Sequence, residues 1–372
     1  MSLDAVVEGL SERESVWFRS FRQRNLSRFR SLAWDKSKYA SLSLEERELQ
    51  AEQIPSPFDA VVPEGAIFDN AFSALEAYPE LMTFAEEESK YAAMNNALCN
   101  AGFVLRIPSG MSAAVPLRAF AAKPCFARSV IIVENGATLN LVQSLASENA
   151  GVWSMHVDVY VRDGASLQYT TLQNLDQQTK GIMAQRVFLG RDAKLAWVTG
   201  TLGGSTVRAR RDIMLQGKGA EAQDLEIFFG SGAQTFELHT NIRHETPHTK
   251  GYSTTKGILG GSARALTQGL ARIEKGADGS DSFLGEHILL VSSQAKAEPM
   301  PFMEIEANDI KAKHSGFVSP IDEEKIFYLR SRGIDRNDAR RLVALGFLAP
   351  ALQVAGDASK ELNRLIEEKW QQ

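Results

Sequence analysis

The chain has 372 residues, 44% of them hydrophobic and 23% charged, and carries a net charge of −5. That mix is globular, which excludes disorder as the main state, and no run approaches the ~18 unbroken apolar residues a membrane span needs; the longest aliphatic runs are Val130–Val133 and Ile288–Val291. An acidic total argues against a general nucleic-acid binder, and only two cysteines, Cys99 and Cys125, suit a reducing compartment, the cytosol.

The length predicts two or three domains, at about 150 residues each. Residues 1–97 are poor in glycine and read as a mostly helical N-terminal cap. Asp4, Glu8, Glu12 and Glu14 stand where a secretory signal would be basic and then apolar. Arg19, Arg22, Arg24, Arg28, Arg30, Lys36 and Lys38 follow, with only Asp35 opposing them. A solvated helix face explains that run better than nucleic acid or lipid. After Asp69, Phe72 and Leu75 are spaced for one helix face, and Pro79 ends the segment.

Residues 98–316 are different. Of 28 glycines, 23 fall between Gly102 and Gly316, yet Pro247 is the only proline from Phe126 to Glu298. Many glycines with almost no proline suit short hydrogen-bonded strands joined by tight turns. Four segments repeat one pattern, a turn, an alanine and an alternating strand: Asn135–Val142, Asp163–Thr170, Arg191–Val198 and Lys218–Leu225. Their alanines, Ala137, Ala165, Ala193 and Ala220, are 28, 28 and 27 residues apart. The strands before the turns alternate too. Met155, Val157, Val159 and Val161 point one way, and His156, Asp158, Tyr160 and Arg162 the other. Each period of about 28 residues therefore holds two strands and two turns, the pattern of a mainly-β solenoid rather than a sandwich.

Residues 317–372 read as a helical C-terminal domain. Ser319 is the expected N-cap, Pro320 the first helical residue, and Asp322 an acid in the first turn. That helix runs through Ile326, Phe327 and Leu329 to Gly333. Asp335 caps a second helix carrying Ala339, Leu342, Val343, Leu345 and Phe347. A third holds Leu362, Leu365, Ile366 and Trp370. A solenoid has unpaired backbone at both ends, and the terminal helices are expected to cover it.

Chemistry is sparse. No P-loop, Rossmann glycine fingerprint or nucleophile elbow occurs, and Gly200, Gly203 and Gly204 are expected in a turn. Cys99 and Cys125 lie in apolar surroundings that predict buried, inert thiols. His239, His244 and His248 fall within ten residues, but 239 and 244 differ by an odd number and face opposite sides of a strand, which disfavours a shared metal. Lys275, Asp278 and Asp281 are the best acid and base set for a β-helix polysaccharide lyase or hydrolase, and they look like an exposed loop. His314 stands where the solenoid meets the C-terminal helices, and such junctions favour binding sites.

Around His314 the chain resembles the SufB/SufD family of iron–sulfur cluster assembly proteins. The similarity rests on Asp309-Ile-Lys followed by His314, on Ile321-Asp-Glu-Glu, and on the specific block Phe327-Tyr-Leu-Arg-Ser-Arg-Gly-Ile334. Pro247-His-Thr249, Lys256-Gly-Ile-Leu259 and Leu289-Leu-Val291 fit in order upstream, so most of residues 98–355 is covered. The match is closest to SufD. It implies a right-handed parallel β-helix with helical N- and C-terminal caps, and a non-enzymatic, cytoplasmic scaffold that acts with a SufC-type ATPase and a SufB-type homologue or a second copy of itself. It implies that His314 lies at the cluster-assembly interface. It also implies that the ATPase docks near Phe327, Tyr328, Leu329, Arg330, Arg332, Gly333, Ile334, Leu342 and Phe347. Two positions that carry cysteine in the family are Ala295 and Ala312 here. His314 could thus supply one nitrogen to a transient iron or iron–sulfur cluster at a partner interface, with thiolates from the partner and no cofactor held stably by this chain alone. A purely structural, polymerising solenoid is the remaining alternative. No nucleic-acid or membrane partner is expected.

Overall fold

The computed structural model describes residues 2–12, 14–34, 42–71 and 89–371. The helix expected around Phe72 and Leu75, and the cations Lys36 and Lys38, lie outside them.

Two nine-stranded sheets run the length of the described chain. The first holds β1 (Phe58–Ala60), β4 (Ser112–Ala121), β6 (Thr138–Ser147), β8 (Ser166–Asn174), β10 (Lys194–Thr201), β12 (Glu221–Gly230), β14 (Lys250–Leu259), β16 (Ser280–Leu290) and β18 (Ile310–Pro320). The second holds β2 (Ile67–Asn70), β3 (Phe103–Ile107), β5 (Cys125–Val133), β7 (Val152–Val161), β9 (Lys180–Leu189), β11 (Thr206–Leu215), β13 (Thr235–His244), β15 (Arg264–Ile273) and β17 (Lys296–Ile305). From β3 onward, each strand pairs in parallel with the strand two places further along the chain. The chain therefore winds as a parallel β-solenoid of about eight turns.

One corner of the coil explains the repeat. Gly136, Gly164, Asp192, Gly219, His248 and Gly279 all take positive φ, between 53° and 76°, a backbone conformation that glycine tolerates best. The residue after each one turns inward. Ala137, Ala165, Ala193 and Ala220 are at most 1% exposed, and the strand register places Thr249 and Ser280 next in their column. Inward rows such as Trp153, Met155, Val157, Val159 and Val161 fill the lumen between the sheets.

The alternation on β7 holds, but its outer face is not open to water. His156 and Asp158 are buried. α1 (Leu3–Ser11), α2 (Val16–Ser31) and α3 (Lys90–Leu98) lie against this flank of the second sheet. Asn95 donates from α3 to the carbonyl oxygens of Ala127 and Ser154. Asp158 is held by Arg128 at 2.6 Å and Arg186 at 2.7 Å. The N-terminal segment is not wholly helical: β1 and β2 pair antiparallel with β4 and β3 and cover the first edges. Arg22, within the basic run, is fully buried and paired with Glu14, so the run is not a uniformly solvated face.

Three helices follow β18: α4 (Glu323–Ser331), α5 (Arg336–Val354) and α6 (Ser359–Trp370). The first cap is Asp322, which accepts from the amides of Glu324 and Lys325. Ser319 and Pro320 still belong to the strand. Asp335 caps α5 as expected. These helices do not lie over the end of the column. They pack on the outer face of the first sheet, burying Leu172, Val198, Leu225, Ile227, Phe229, Ile258 and Leu289. Gly200 is inside β10 rather than in a turn, and Leu362 of α6 fills the space a side chain there would need.

Candidate functional site

With the helices on the flank, β17 and β18 form a last coil whose outer edges pair with no described strand. The two edges are not equivalent. Lys296 and Glu306 donate their amides back to Ala263 and Ile273, so even-numbered amides of β17 point to β15 and odd-numbered ones to the free edge. Pro299 and Pro301 occupy those odd positions and remove two donors from that edge. On β18 the amide of Ile321, just past the strand, donates back to Leu290. The amides of Ile310, Ala312, His314, Gly316 and Val318 therefore face outward and are able to pair.

His314 sits near the middle of that edge. The register stacks it on Leu284, and Ala312 on Ser282, both inward residues of β16. His314 thus occupies a lumen-facing position of the last coil, yet it is exposed because no further coil covers it. One coil below, Glu286 lies under Gly316. It is 3% exposed, and burial pushes its carboxyl up to about 7. Each strand of the last coil also carries an exposed aromatic residue. Phe302 and Phe317 are each 44% exposed, and Phe317 stacks on His287 with ring centres 4.5 Å apart. Ala295 is buried in the turn before β17.

The residues expected to dock an ATPase divide into two groups. Phe327 is 73% exposed and Tyr328 57%, with Arg332 over the Tyr328 ring. Arg330 and Leu342 are exposed as well. Leu329, Ile334 and Phe347 instead pack against the flank cluster, and Lys256 donates to the Phe347 carbonyl at 2.9 Å. Gly333, at φ 89°, makes the turn out of α4.

The other expected candidates have structural roles. His239 bonds Glu237 at 2.8 Å. His244 lies in the lumen, where burial pushes its imidazole down to about 4 and Thr249 contacts its Nδ1 at 2.8 Å. His248 shapes a corner. Lys275 and Asp278 are exposed turn residues, and Asp281 is the second residue of β16. Both cysteines are buried. Burial raises the Cys99 thiol to about 11 and Cys125 higher still, so neither is a ready thiolate. Among the described residues, no three His, Cys, Asp or Glu side chains gather as a metal cage.

Sequence reasoning missed a charged cluster in the lumen. Arg211 of β11 bonds Asp224 and, at 3.2 Å, Glu226 of β12. Thr199, Thr201 and Ser253 supply further hydrogen bonds, and the Arg211 guanidinium covers the Trp197 ring at 4.7 Å. Burial raises the Glu226 carboxyl to about 7 against the pull of Arg211. The signal was there: Arg211, Asp224 and Glu226 all fall on inward parity.

The family model for the SufBD core domain of the SUF iron–sulfur cluster assembly system matches residues 118–347. The chain belongs to the SufBD family. An iron–sulfur cluster assembly SufBD family protein of Staphylococcus epidermidis is 28% identical over 318 residues, spanning 82% of this chain and 68% of that protein. SufBD family proteins of Staphylococcus haemolyticus and Staphylococcus aureus are 27% identical over the same shares. The SufBD match takes in nearly the whole solenoid, the last coil, α4 and the first part of α5. No described helix is long and apolar enough to cross a membrane.

Proposed function

We propose that this chain is a SufD-like, non-enzymatic scaffold in a cytosolic iron–sulfur cluster assembly complex. In this reading the exposed part of α4 and α5, centred on Phe327, Tyr328, Arg330, Arg332 and Leu342, receives a SufC-type ATPase. The open edge of β18 receives a SufB-type homologue or a second copy of the chain, with His314 at the junction. The observation that carries the reading is the uncovered last coil. It offers a pairing strand with a histidine near its middle and the half-exposed Phe317 three residues further on.

The same end limits the assembly. At the other end the short strands β1 and β2 run antiparallel to the column and cover its first parallel edges, so the two ends are not alike and head-to-tail stacking lacks a matching parallel edge among the described residues. Two coils meeting edge to edge close a two-fold pair. Alanine at 295 supports a SufD-like rather than a SufB-like role; with alanine also at 312, where SufD members often carry cysteine, and both thiols buried, thiolates for a transient cluster come from the partner and His314 contributes one nitrogen.

Anaerobic co-purification with the tagged chain tests the class. Recovery of a nucleotide-binding ATPase and a cysteine-bearing relative is expected, and recovery of neither overturns the reading. His314→Ala should lower maturation of iron–sulfur enzymes in cells while ATPase association persists. Normal maturation would remove His314 from the site.

A further inference from the structure

A second site lies away from the coil's open end. The first turn of α5, the last turn of α6 and the turns after β12 and β14 frame an open surface pocket of about 560 Å³. Arg336, Arg340 and Lys369 line it, and no acidic residue does. Phe229 and Trp370 form an aromatic wall, and the Gly261 turn, at φ 56°, closes one side. Such a volume is ordinary for a small-molecule site, and so is an apolar wall facing a few convergent polar groups.

The cations are only partly committed. Arg336 is 3.6 Å from Glu323, a loose and exposed pair. Arg340 uses one Nη to reach the carbonyl of Val291. Lys369 donates to the carbonyl of Leu202 and to Gln234 Oε1, both neutral acceptors. It is 7% exposed, and burial lowers its ammonium to about 7. An ammonium so placed gains from an arriving anion. The indole Nε1 of Trp370 is also buried and has no hydrogen-bond partner, a donor still lacking an acceptor.

We propose that this pocket binds a small organic phosphate, with its oxyanion among Arg336, Arg340 and Lys369 and its apolar body against Phe229 and Trp370. Guanidinium forks match phosphate oxygens, and here three cations from two helices line one pocket. A bound phosphate would join α5 and α6 to the solenoid turns. The site does not depend on the assembly reading, because it uses neither His314 nor the exposed face of α4.

Isothermal titration of the full chain in phosphate-free buffer tests it, with phenyl phosphate, inorganic phosphate and phenol as probes. Saturable binding of phenyl phosphate is expected, and none of phenol. Tighter binding of phenyl phosphate identifies an organic phosphate, whereas equal binding of inorganic phosphate replaces the organic ligand with the free anion and overturns that part of the proposal. Arg336→Gln, at an exposed position, and Arg340→Gln should each weaken phenyl phosphate about tenfold or more, the loss of one charge-assisted contact. No saturation at 10 mM, roughly the weakest affinity a single ionic contact gives, or affinity unchanged in both variants, overturns the site.

Discussion

Glu286→Gln removes the ionisable group that lies one coil below the open end. In the folded chain burial raises this carboxyl from 4.5 to about 7. Below pH 4.5 both folded and unfolded chains keep the proton, and the group costs nothing. As the pH climbs towards 7 the unfolded chain releases its proton while the folded chain retains it, so wild-type stability falls. Above 7 the penalty levels off. With these two values, linkage gives a penalty of about 1 kcal/mol at pH 5 and about 3 kcal/mol at pH 8. Glutamine keeps the size and the hydrogen-bonding capacity but never ionises. The variant should therefore gain on the wild type by about 2 kcal/mol between pH 5 and pH 8. Urea unfolding of both proteins at the two pH values measures this difference, and Glu226, present in both, cancels. An equal margin at pH 5 and pH 8, or a margin that grows towards acid, would refute the assignment of a raised carboxyl to this position.

Other substitutions probe other layers. Arg211→Ala leaves Asp224 and Glu226 buried without their cation and should cost about 3–5 kcal/mol, read by urea unfolding at pH 8. Gly257→Ala places a methyl group where the Phe228 ring already lies and should cost about 1–3 kcal/mol; adding Phe228→Leu should recover part of that in thermal melts. Phe327→Asp with Tyr328→Asp changes only exposed positions, so the melting curve should stay within about 0.5 kcal/mol of wild type while a co-expressed SufC-type ATPase no longer co-purifies. Retention of the ATPase would move the docking face elsewhere.

The solenoid was legible because its turns use one corner chemistry. A glycine or aspartate at positive φ, followed by a small inward residue, recurs at nearly constant spacing. The same corner continues as His248-Thr249 and Gly279-Ser280, but the spacing lengthens to 29 and then 31 residues and the alanine becomes a hydroxyl residue, so the pattern fades just before the open end of the column. Parity along β7 was read correctly, whereas burial of its outer face was not. What covers His156 and Asp158 comes from α1–α3, and alternation within a strand says nothing about a distant segment packed outside it. The position of the C-terminal helices escaped for the same reason. Their apolar stripes were visible, but the complementary stripe, Leu225, Ile227 and Phe229, reads simply as strand. Proline at 320 suggested a helix start and instead ends a strand, because Asp322 offers a better cap.

β18 ends at Pro320, and α4 begins at Glu323. Only two residues separate the strand that carries His314 from the helix that presents Phe327. A motor gripping that helix would hold the strand by a tether too short to stretch, because two residues span at most about 7 Å. Any tug larger than that would slide the strand in its ladder or carry the whole last coil along, so a pull on α4 would become displacement at the open edge.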